Sequence, residues 1–344
     1  MEKNILKSLN SAPLVSVIIP TFNRTKYFQE ALESVLNQTY KNFEIFISDN
    51  STNDDTEILM QDYLQKFSNI KYFHHKNFTS HDNWNFARKY NNPDAEFVAW
   101  LMDDDKFLPR KLEVMVKIFQ DNLDVSLVTS VRRDIDEGGN FIGDNRLHVK
   151  RDTKISGDEA GRLLLTVDNY IGVPSNVLIR KSCLRNNDLC WHDGETGFYS
   201  LVDVSTWCQL LSKGNLYWIV EPLSVYRRYN DEDGANNGFS MKAMLDQVIG
   251  HAKCIKRLYE EKIALKTEYD LKLAIVVWLR IAAEFLRQSF TTNYDDEERN
   301  ILLEKMINSM SQALISGSIE NWPYEEYKKL FVDDVLENLK KVED

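Results

Sequence analysis

The chain has 344 residues, is 43% hydrophobic and 28% charged, and carries a formal net charge of −11. That size suits two modest domains, or one domain with an appendage, of ordinary globular composition. So acidic a chain is not expected to take nucleic acid as a partner, although a nucleotide ligand stays compatible because a bound metal inverts the local field.

Cys183, Cys190, Cys208 and Cys254 form no CxxC pair, which argues against a zinc knuckle and suits a reducing compartment. The opening residues lack the apolar stretch of a signal peptide. The most apolar run, residues 273–286, contains Arg280 and Glu284 and is too short and too charged to span a bilayer. No transmembrane segment is therefore expected. The expected location is the cytoplasm, with peripheral attachment to a membrane left open.

Residues 1–12 read as a polar lead, followed by a β-branched strand from Val15 to Pro20. Phe28, Ala31, Leu32, Val35 and Leu36 lie on one face of a helix predicted from Thr25 to Gln38. Phe43 to Ser48 reads as a strand. Thr56 to Phe67 reads as a helix with Ile58, Leu59, Tyr63 and Leu64 facing inward. Ile70 to Phe73 reads as a strand, Asp82 to Tyr90 as a helix, and Phe97 to Met102 as a strand. Pro109 opens a helix that runs to Gln120, since proline in a first turn loses no hydrogen bond. Val125 to Val131 is the fifth strand.

Beyond residue 131 the pattern is irregular. Asp136 to Asn140 reads as a turn, Gly172 to Arg180 as a loop entering a strand, and Asp203 to Leu211 as a helix. Residues 231–238 form the expected linker. From about residue 240 the chain is helix-like, and Ile275, Leu279, Ala282, Ala283 and Leu286 make an apolar stripe. That stripe is expected to cover the preceding domain or to join two copies into a homo-oligomer.

Strands alternating with helices predict right-handed βαβ units, a mostly parallel sheet flanked by helices, and a ligand at the carboxyl ends of the strands. Three segments fall there: Pro20-Thr-Phe-Asn-Arg24, Asp49-Asn-Ser-Thr52 and Asp103-Asp-Asp105. Three adjacent carboxylates repel one another in water and suit a hard divalent cation; the alternative is a solvated acidic turn ahead of the next helix. Asp49 can accept hydrogen bonds from a base or ribose, or merely start a turn. Thr21 to Arg24 offer donors, or cap a helix.

Ser16-Val-Ile-Ile-Pro-Thr-Phe-Asn-Arg24, Asp49-Asn-Ser-Thr-Asn-Asp-Asp-Thr56 and Trp100-Leu-Met-Asp-Asp-Asp105 with Pro109 together resemble family 2 glycosyltransferases. The resemblance covers about residues 13–130 and implies the α/β GT-A fold, which is Rossmann-like. The implied reaction moves one sugar, with inversion, from a nucleotide diphosphate sugar to an acceptor hydroxyl on a glycan, lipid-linked glycan or protein. It implies that Asp49 contacts uracil or ribose, with Thr21 and Arg24 flanking the base. Pro20, Asn23, Asp103 and Asp104 complete the donor site.

The family's acidic motif, counted back from Pro109, places Asp104 on the main metal-binding aspartate, for Mn²⁺ or Mg²⁺. The alternative register is Asp103-x-Asp105. Leu201-Val-Asp203 resembles the segment that carries the general base, Asp203, although the family's preceding glutamate is Val202 here. Asp203 could instead cap its helix. A histidine that often follows the family's Tyr-Arg pair is replaced by Tyr229. The processive members' Gln-x-x-Arg-Trp motif is absent, which favours one sugar per visit.

The expected organisation is a GT-A domain over 13–235, with a nucleotide-sugar half (13–131) and an acceptor half (132–235), then a helical region over 236–344. Two rival readings stand beside it: a catalytically silent sugar-nucleotide-binding or scaffold protein, and a sugar nucleotidyltransferase. The latter normally has a glycine-rich first loop, which Pro20 to Arg24 is not. His192, Asp193 and Glu195 read as a solvated loop, and His74, His75 and His81 as structural.

Overall fold

The computed structural model describes residues 12–145, 150–167, 169–184, 202–229, 251 and 254–278. These fall into two compact units. The first takes 12–145, 150–164, 169–184 and 202–229; the second takes 165–167, 251 and 254–278.

The first unit is built on one sheet of ten strands. In chain order its elements are β1 (Leu14–Thr21), α1 (Thr25–Leu36), β2 (Phe43–Asp49), α2 (Asp55–Lys66), β3 (Ile70–His74), α3 (Ser80–Arg88), β4 (Ala95–Trp100), β5 (Lys106–Phe107), α4 (Lys111–Asp121), β6 (Val125–Ile135), β7 (Phe141–Asn145), β8 (Thr153–Ile155), α5 (Gly157–Thr166), β9 (Leu178–Arg180), α6 (Val202–Leu211) and β10 (Asn215–Arg227). The sheet order is β3-β2-β1-β4-β9-β6-β10-β5, with β7 beside β6 and β8 beside β10. β3, β2, β1 and β4 are parallel, as are β6 and β10. β9 runs antiparallel between those two blocks. The architecture is the expected mostly parallel sheet with helices.

Alternation along the strands sorts the core. Val15, Val17 and Ile19 of β1, with Ile45 and Ile47 of β2, pack with Phe28, Leu32 and Val35 of α1 and with Met115 and Phe119 of α4. Each fully buried side chain of this kind contributes about 1.5–3 kcal/mol. On the other face Phe46 stacks on Tyr90 with centroids 4.0 Å apart, and Trp84 of α3 stacks on Trp100 at 5.0 Å.

Pro20 does not stop β1, which continues to Thr21. The Ile18 carbonyl accepts from Leu101 on the β4 side, and the Thr21 carbonyl accepts from Asn50 on the β2 side. Pro20 therefore faces the β4 side, beyond the last paired residue there, where its missing N–H breaks no ladder bond.

Several boundaries and one face differ from the sequence reading. The inner side of α2 is Thr56 and Met60, with Leu59 and Tyr63 half-buried, whereas Ile58 is 61% and Leu64 42% exposed. The stripe Thr56, Leu59, Met60, Tyr63 follows helical spacing; Ile58 and Leu64 lie off it. β4 ends at Trp100, two residues early, and β6 runs four residues further than expected, into a hairpin with β7 whose turn is the Asp136–Asn140 segment. β5, β7, β8, α5 and β10 are elements that the sequence reading did not name.

Of the apolar stripe near the C-terminus, Ile275 is buried and the rest lies outside the described residues, as do the 231–238 linker, His192, Asp193, Glu195 and Cys190. Cys183, Cys208 and Cys254 form no disulfide among the described residues. No described helix is long and apolar enough to cross a membrane.

Candidate active site

The carboxyl ends of β1, β2 and β4 bring the three candidate segments together. Asp103 is the hub toward β1. Its Oδ2 accepts from the Thr21 hydroxyl at 2.9 Å and the Phe22 N–H at 3.3 Å, and its Oδ1 lies 3.4 Å from Arg24 Nη1. Burial and the neighbouring Asp104 charge push the Asp103 carboxyl up to about 6, against the pull of Arg24 and Thr21. Asp104 is the most exposed of the three; its Oδ2 accepts from Arg24 Nη1 at 2.7 Å and from the Tyr229 hydroxyl at 3.0 Å. Burial alone would lower the Arg24 pKa, but Asp103 and Asp104 raise it.

Asp105 points the other way, into the protein. Its Oδ1 accepts from the Arg227 N–H at 3.1 Å. Its Oδ2 is buried without a donor in bonding geometry, although the Ser175 hydroxyl beside it favours the charged form. Burial and Asp104 raise this carboxyl well above its usual range.

The loop that bears these carboxylates is clamped at several points. Arg227, 1% exposed at its side chain, donates from Nε to the Asp104 carbonyl at 3.1 Å, from Nη1 to the Asp136 and Glu137 carbonyls, and from Nη2 to Glu30 at 2.8 Å. It thereby ties the acidic loop to the β6–β7 turn and to α1. Gln38 at the end of α1 donates to the Leu108 carbonyl and accepts from the Leu112 N–H, fixing the loop's downstream flank. Lys111, fully buried in the first turn of α4, donates to the Asn176 carbonyl and the Ser224 hydroxyl, both at 2.8 Å. Burial drives its pKa far down, while Asp105 acts in the opposite sense.

Asp49 is the last residue of β2 rather than the first after it, and it is fully buried. Its two oxygens accept from the Ser51 N–H at 2.7 Å and the Tyr72 hydroxyl at 2.6 Å. Asn83 of α3 bolts the β1 and β2 ends together, donating to the Ser48 and Thr21 carbonyls and accepting from the Ser48 hydroxyl at 2.5 Å. Asn23, in the left-handed region at φ 51°, joins the first segment to the second: its N–H donates to the Ser51 hydroxyl, and its Oδ1 accepts from the Thr52 N–H. Phe22, beside them, is 45% exposed.

Asp203 lies in the first turn of α6 and is half-buried. It accepts from the Val204 N–H at 2.8 Å and from Asn169 Nδ2 at 3.5 Å, and burial raises its pKa. One loop links it to the acidic segment. Asn169 also accepts from the Gly172 N–H, and the Gly172 carbonyl accepts from Trp207 Nε1. Three residues on, the Ser175 hydroxyl accepts from the Met102 N–H at 3.0 Å. Gly172 has φ +95°, and a Cβ there would meet Asn176 Nδ2 at 2.6 Å, so the bend needs glycine on two counts.

The acidic loop's donor set fits a divalent cation. Asp103 and Asp104 face the part-exposed Arg24 guanidinium, Asp105 adds charge behind them, and among the described residues Asp104 Oδ1 takes no donor. A second group, Asp54, Glu57 and His74, places ligand atoms within 4.8 Å of one another. There the His74 nitrogens already lie 3.2 Å from Glu57 and 2.9 Å from the Ser51 carbonyl, and Lys76 pairs with Asp54, so the cluster is complete as an ion-pair network.

Sequence reasoning singled out neither Lys111 nor Arg227, Asn83, Tyr72 or Asn169. A signal existed for Lys111: it shares the face of Met115 and Phe119 at i+4 and i+8, a lysine on an apolar stripe.

The profile of the family described as glycosyl transferase family 2 matches residues 16–187, half of the chain, and ends before Asp203. A GalNAc(5)-diNAcBac-PP-undecaprenol beta-1,3-glucosyltransferase of Campylobacter jejuni is 36% identical over 105 residues, 30% of this chain and 34% of that protein. The chain spans between a fifth and a half of the length of the curated relatives it matches. Among solved structures, TarS 1–349 of S. aureus in complex with UDP-GlcNAc has a TM-score of 0.59 at 18% identity, covering 87% of this chain and 81% of that one. The mannosyltransferase PcManGT of Pyrobaculum calidifontis in complex with GDP-Man and Mn²⁺ has a TM-score of 0.51 at 15% identity, covering 91% and 88%. With its three motifs gathered at one sheet edge and the profile spanning all of them, the chain belongs to glycosyl transferase family 2.

Proposed function

We propose that this chain is a divalent-metal-dependent transferase that moves one sugar, with inversion, from a nucleoside diphosphate sugar to an acceptor hydroxyl of a glycan or glycoconjugate. The observation that carries the reading is the convergence of Thr21, Arg24 and the Asp103–Asp105 loop at the carboxyl ends of β1 and β4. A uridine donor is favoured, with the exposed Phe22 beside the base and the buried Asp49 fixing the β2 end behind it through Ser51 and Tyr72. Fold neighbours solved with UDP-GlcNAc and with GDP-Man and Mn²⁺ support a nucleotide sugar as donor. The Campylobacter relative, by its name a glucosyltransferase onto a lipid-linked glycan, supports a glycan acceptor.

Asp104 would hold the cation, with Asp103 and Asp105 contributing charge from behind. A bound divalent cation supplies Lewis-acid stabilisation of the departing diphosphate. Thr21 and the Phe22 N–H keep Asp103 oriented, and Arg227 fixes the Asp104 peptide. Asp203 takes the acceptor's proton; burial moves its pKa toward neutrality, where a general base works best. Asn169 holds the Asp203 carboxylate by its amide.

Calorimetry of UDP binding with Mn²⁺ and with EDTA tests the reading. Wild type should bind UDP much more tightly with Mn²⁺, and Asp104→Asn should lose that dependence. Equal binding in EDTA overturns it.

A further inference from the structure

We propose that Arg24 is a displaceable latch on Asp104: its guanidinium and the divalent cation use the same carboxylate in turn, and a nucleoside diphosphate draws the guanidinium away. Cation and diphosphate then bind as a coupled pair. The proposal rests on the reading of Asp104 as the cation-bearing carboxylate.

The geometry points to an exchange rather than a fixed ion pair. Arg24 Nη1 lies 2.7 Å from Asp104 Oδ2 and 3.4 Å from Asp103 Oδ1, so one positive group spans the two carboxylates nearest β1. A second cation bound to Asp104 at the same time would share one carboxylate with that charge, which the electrostatics disfavours.

The two arginines at this loop differ in freedom. Arg227 is 1% exposed and its donors are spent on three backbone carbonyls and Glu30. The Arg24 side chain is 30% exposed, and among the described residues its ion-pair partners are Asp103 and Asp104. Its root, by contrast, is fixed. Arg24 is the N-cap of α1 and follows Asn23, which is strained at φ 51° and tied to Ser51 and Thr52. A planar fork on a fixed root at a helix N-terminus suits a diphosphate, which it can grip with two parallel donors.

Tyr229 completes the device. Its hydroxyl donates to the same Asp104 oxygen at 3.0 Å, its ring lies 5.7 Å from the Arg24 guanidinium, and its edge rests on Tyr27. It holds the carboxylate's orientation while Arg24 leaves.

The test reads Mn²⁺ binding to the full chain by calorimetry or EPR, without and with UDP. In wild type UDP should tighten Mn²⁺ binding about tenfold or more, within the usual range of coupled sites. Arg24→Ala should bind Mn²⁺ alone about tenfold more tightly, because a competing charge is gone, and UDP should then change that affinity less than about threefold. Arg24→Lys, which keeps the charge without the fork, should hold Mn²⁺ weakly and lose the coupling, and it guards against a folding defect in the alanine variant. Tyr229→Phe should weaken Mn²⁺ binding by itself, because the carboxylate loses its orienting donor, while UDP still tightens it through Arg24. The latch is overturned if Arg24→Ala binds Mn²⁺ no more tightly than wild type, or if UDP still promotes its Mn²⁺ binding as strongly. Asp104→Asn separates the two ideas: Mn²⁺ binding that survives it refutes the Asp104 assignment itself, whereas loss there with an unchanged Arg24→Ala refutes the latch alone.

Discussion

Replacing Arg227 with methionine keeps most of the aliphatic stem and removes four side-chain hydrogen bonds, to the carbonyls of Asp104, Asp136 and Glu137 and to Glu30. A hydrogen bond to a charged group is worth about 1.5–3 kcal/mol, so a plain sum would exceed 6 kcal/mol. Two effects reduce it. Glu30 is 34% exposed at its side chain and regains water, and methionine avoids the cost of burying a cation. The loss expected is therefore about 3–5 kcal/mol, the range for breaking a buried charged partner. For a unit of this size that lowers the melting temperature by roughly 6–20 °C. Urea denaturation and thermal melts followed by circular dichroism read it directly. Arg227→Lys should recover only part of the loss, because an ammonium cannot reach all four acceptors from one fork. A methionine variant within about 1 kcal/mol of wild type would refute the reasoning, since it would mean that these acceptors find water as readily as Arg227.

Asp203→Asn should lower sugar transfer by about 10²–10⁴-fold with donor affinity unchanged, because asparagine caps α6 as well as aspartate but takes no proton; near-normal turnover would mean that Asp203 is only a cap. Gly172→Ala should cost about 1–2 kcal/mol for the left-handed backbone alone, plus the displacement of Asn176, and an unchanged urea midpoint would argue that the 169–176 loop relaxes freely. His74 gives a pH signature. Burial lowers its pKa, but the Ser51 carbonyl and Glu57 outweigh that and leave it raised. Its contribution is thus full below the unfolded value of about 6.5 and fades as pH climbs through the folded value. His74→Gln should flatten stability across that window, and identical pH profiles for both proteins would remove His74 from the account.

Residues up to about 131 were largely legible because their signals are local. β1 to β4 are short apolar runs separated by amphipathic helices, so both the parallel sheet and the edge that bears Thr21, Asp49 and Asp103 could be derived. Beyond them less was: the loop entering β9 was read, but β10 was not. β5 has two residues and β8 three, too short for any periodicity, and β8 is held by pairing with β10 about 60 residues along the chain. The face of α2 was misread because Ile58 and Leu64 are apolar yet exposed. At the site, sequence reasoning found the carboxylates but not what holds them. Lys111, Asn83 and Arg227 act across 35 residues or more of chain, and only tertiary structure brings them to their partners.

The arrangement separates two tasks that a run of three aspartates might be thought to share. Asp105 faces inward, fixed by the Arg227 N–H, with the buried Lys111 amino group near enough to feel its charge; it anchors the loop. Asp104 faces outward, held among the described residues by a phenol and a part-exposed guanidinium. Asp103 stands between them, bound to β1 through Thr21 and Phe22 and sharing Arg24 with Asp104. Burial first, and the Asp104 charge second, raise the Asp103 and Asp105 carboxyls above their usual range. The least buried of the three is thus the one whose charge is cheapest to keep and easiest to hand to a ligand. Loop register follows the same division: the Met102 N–H on Ser175 and the Asp105 contact with Arg227 hold both flanks, so a ligand that engages Asp104 need move side chains only.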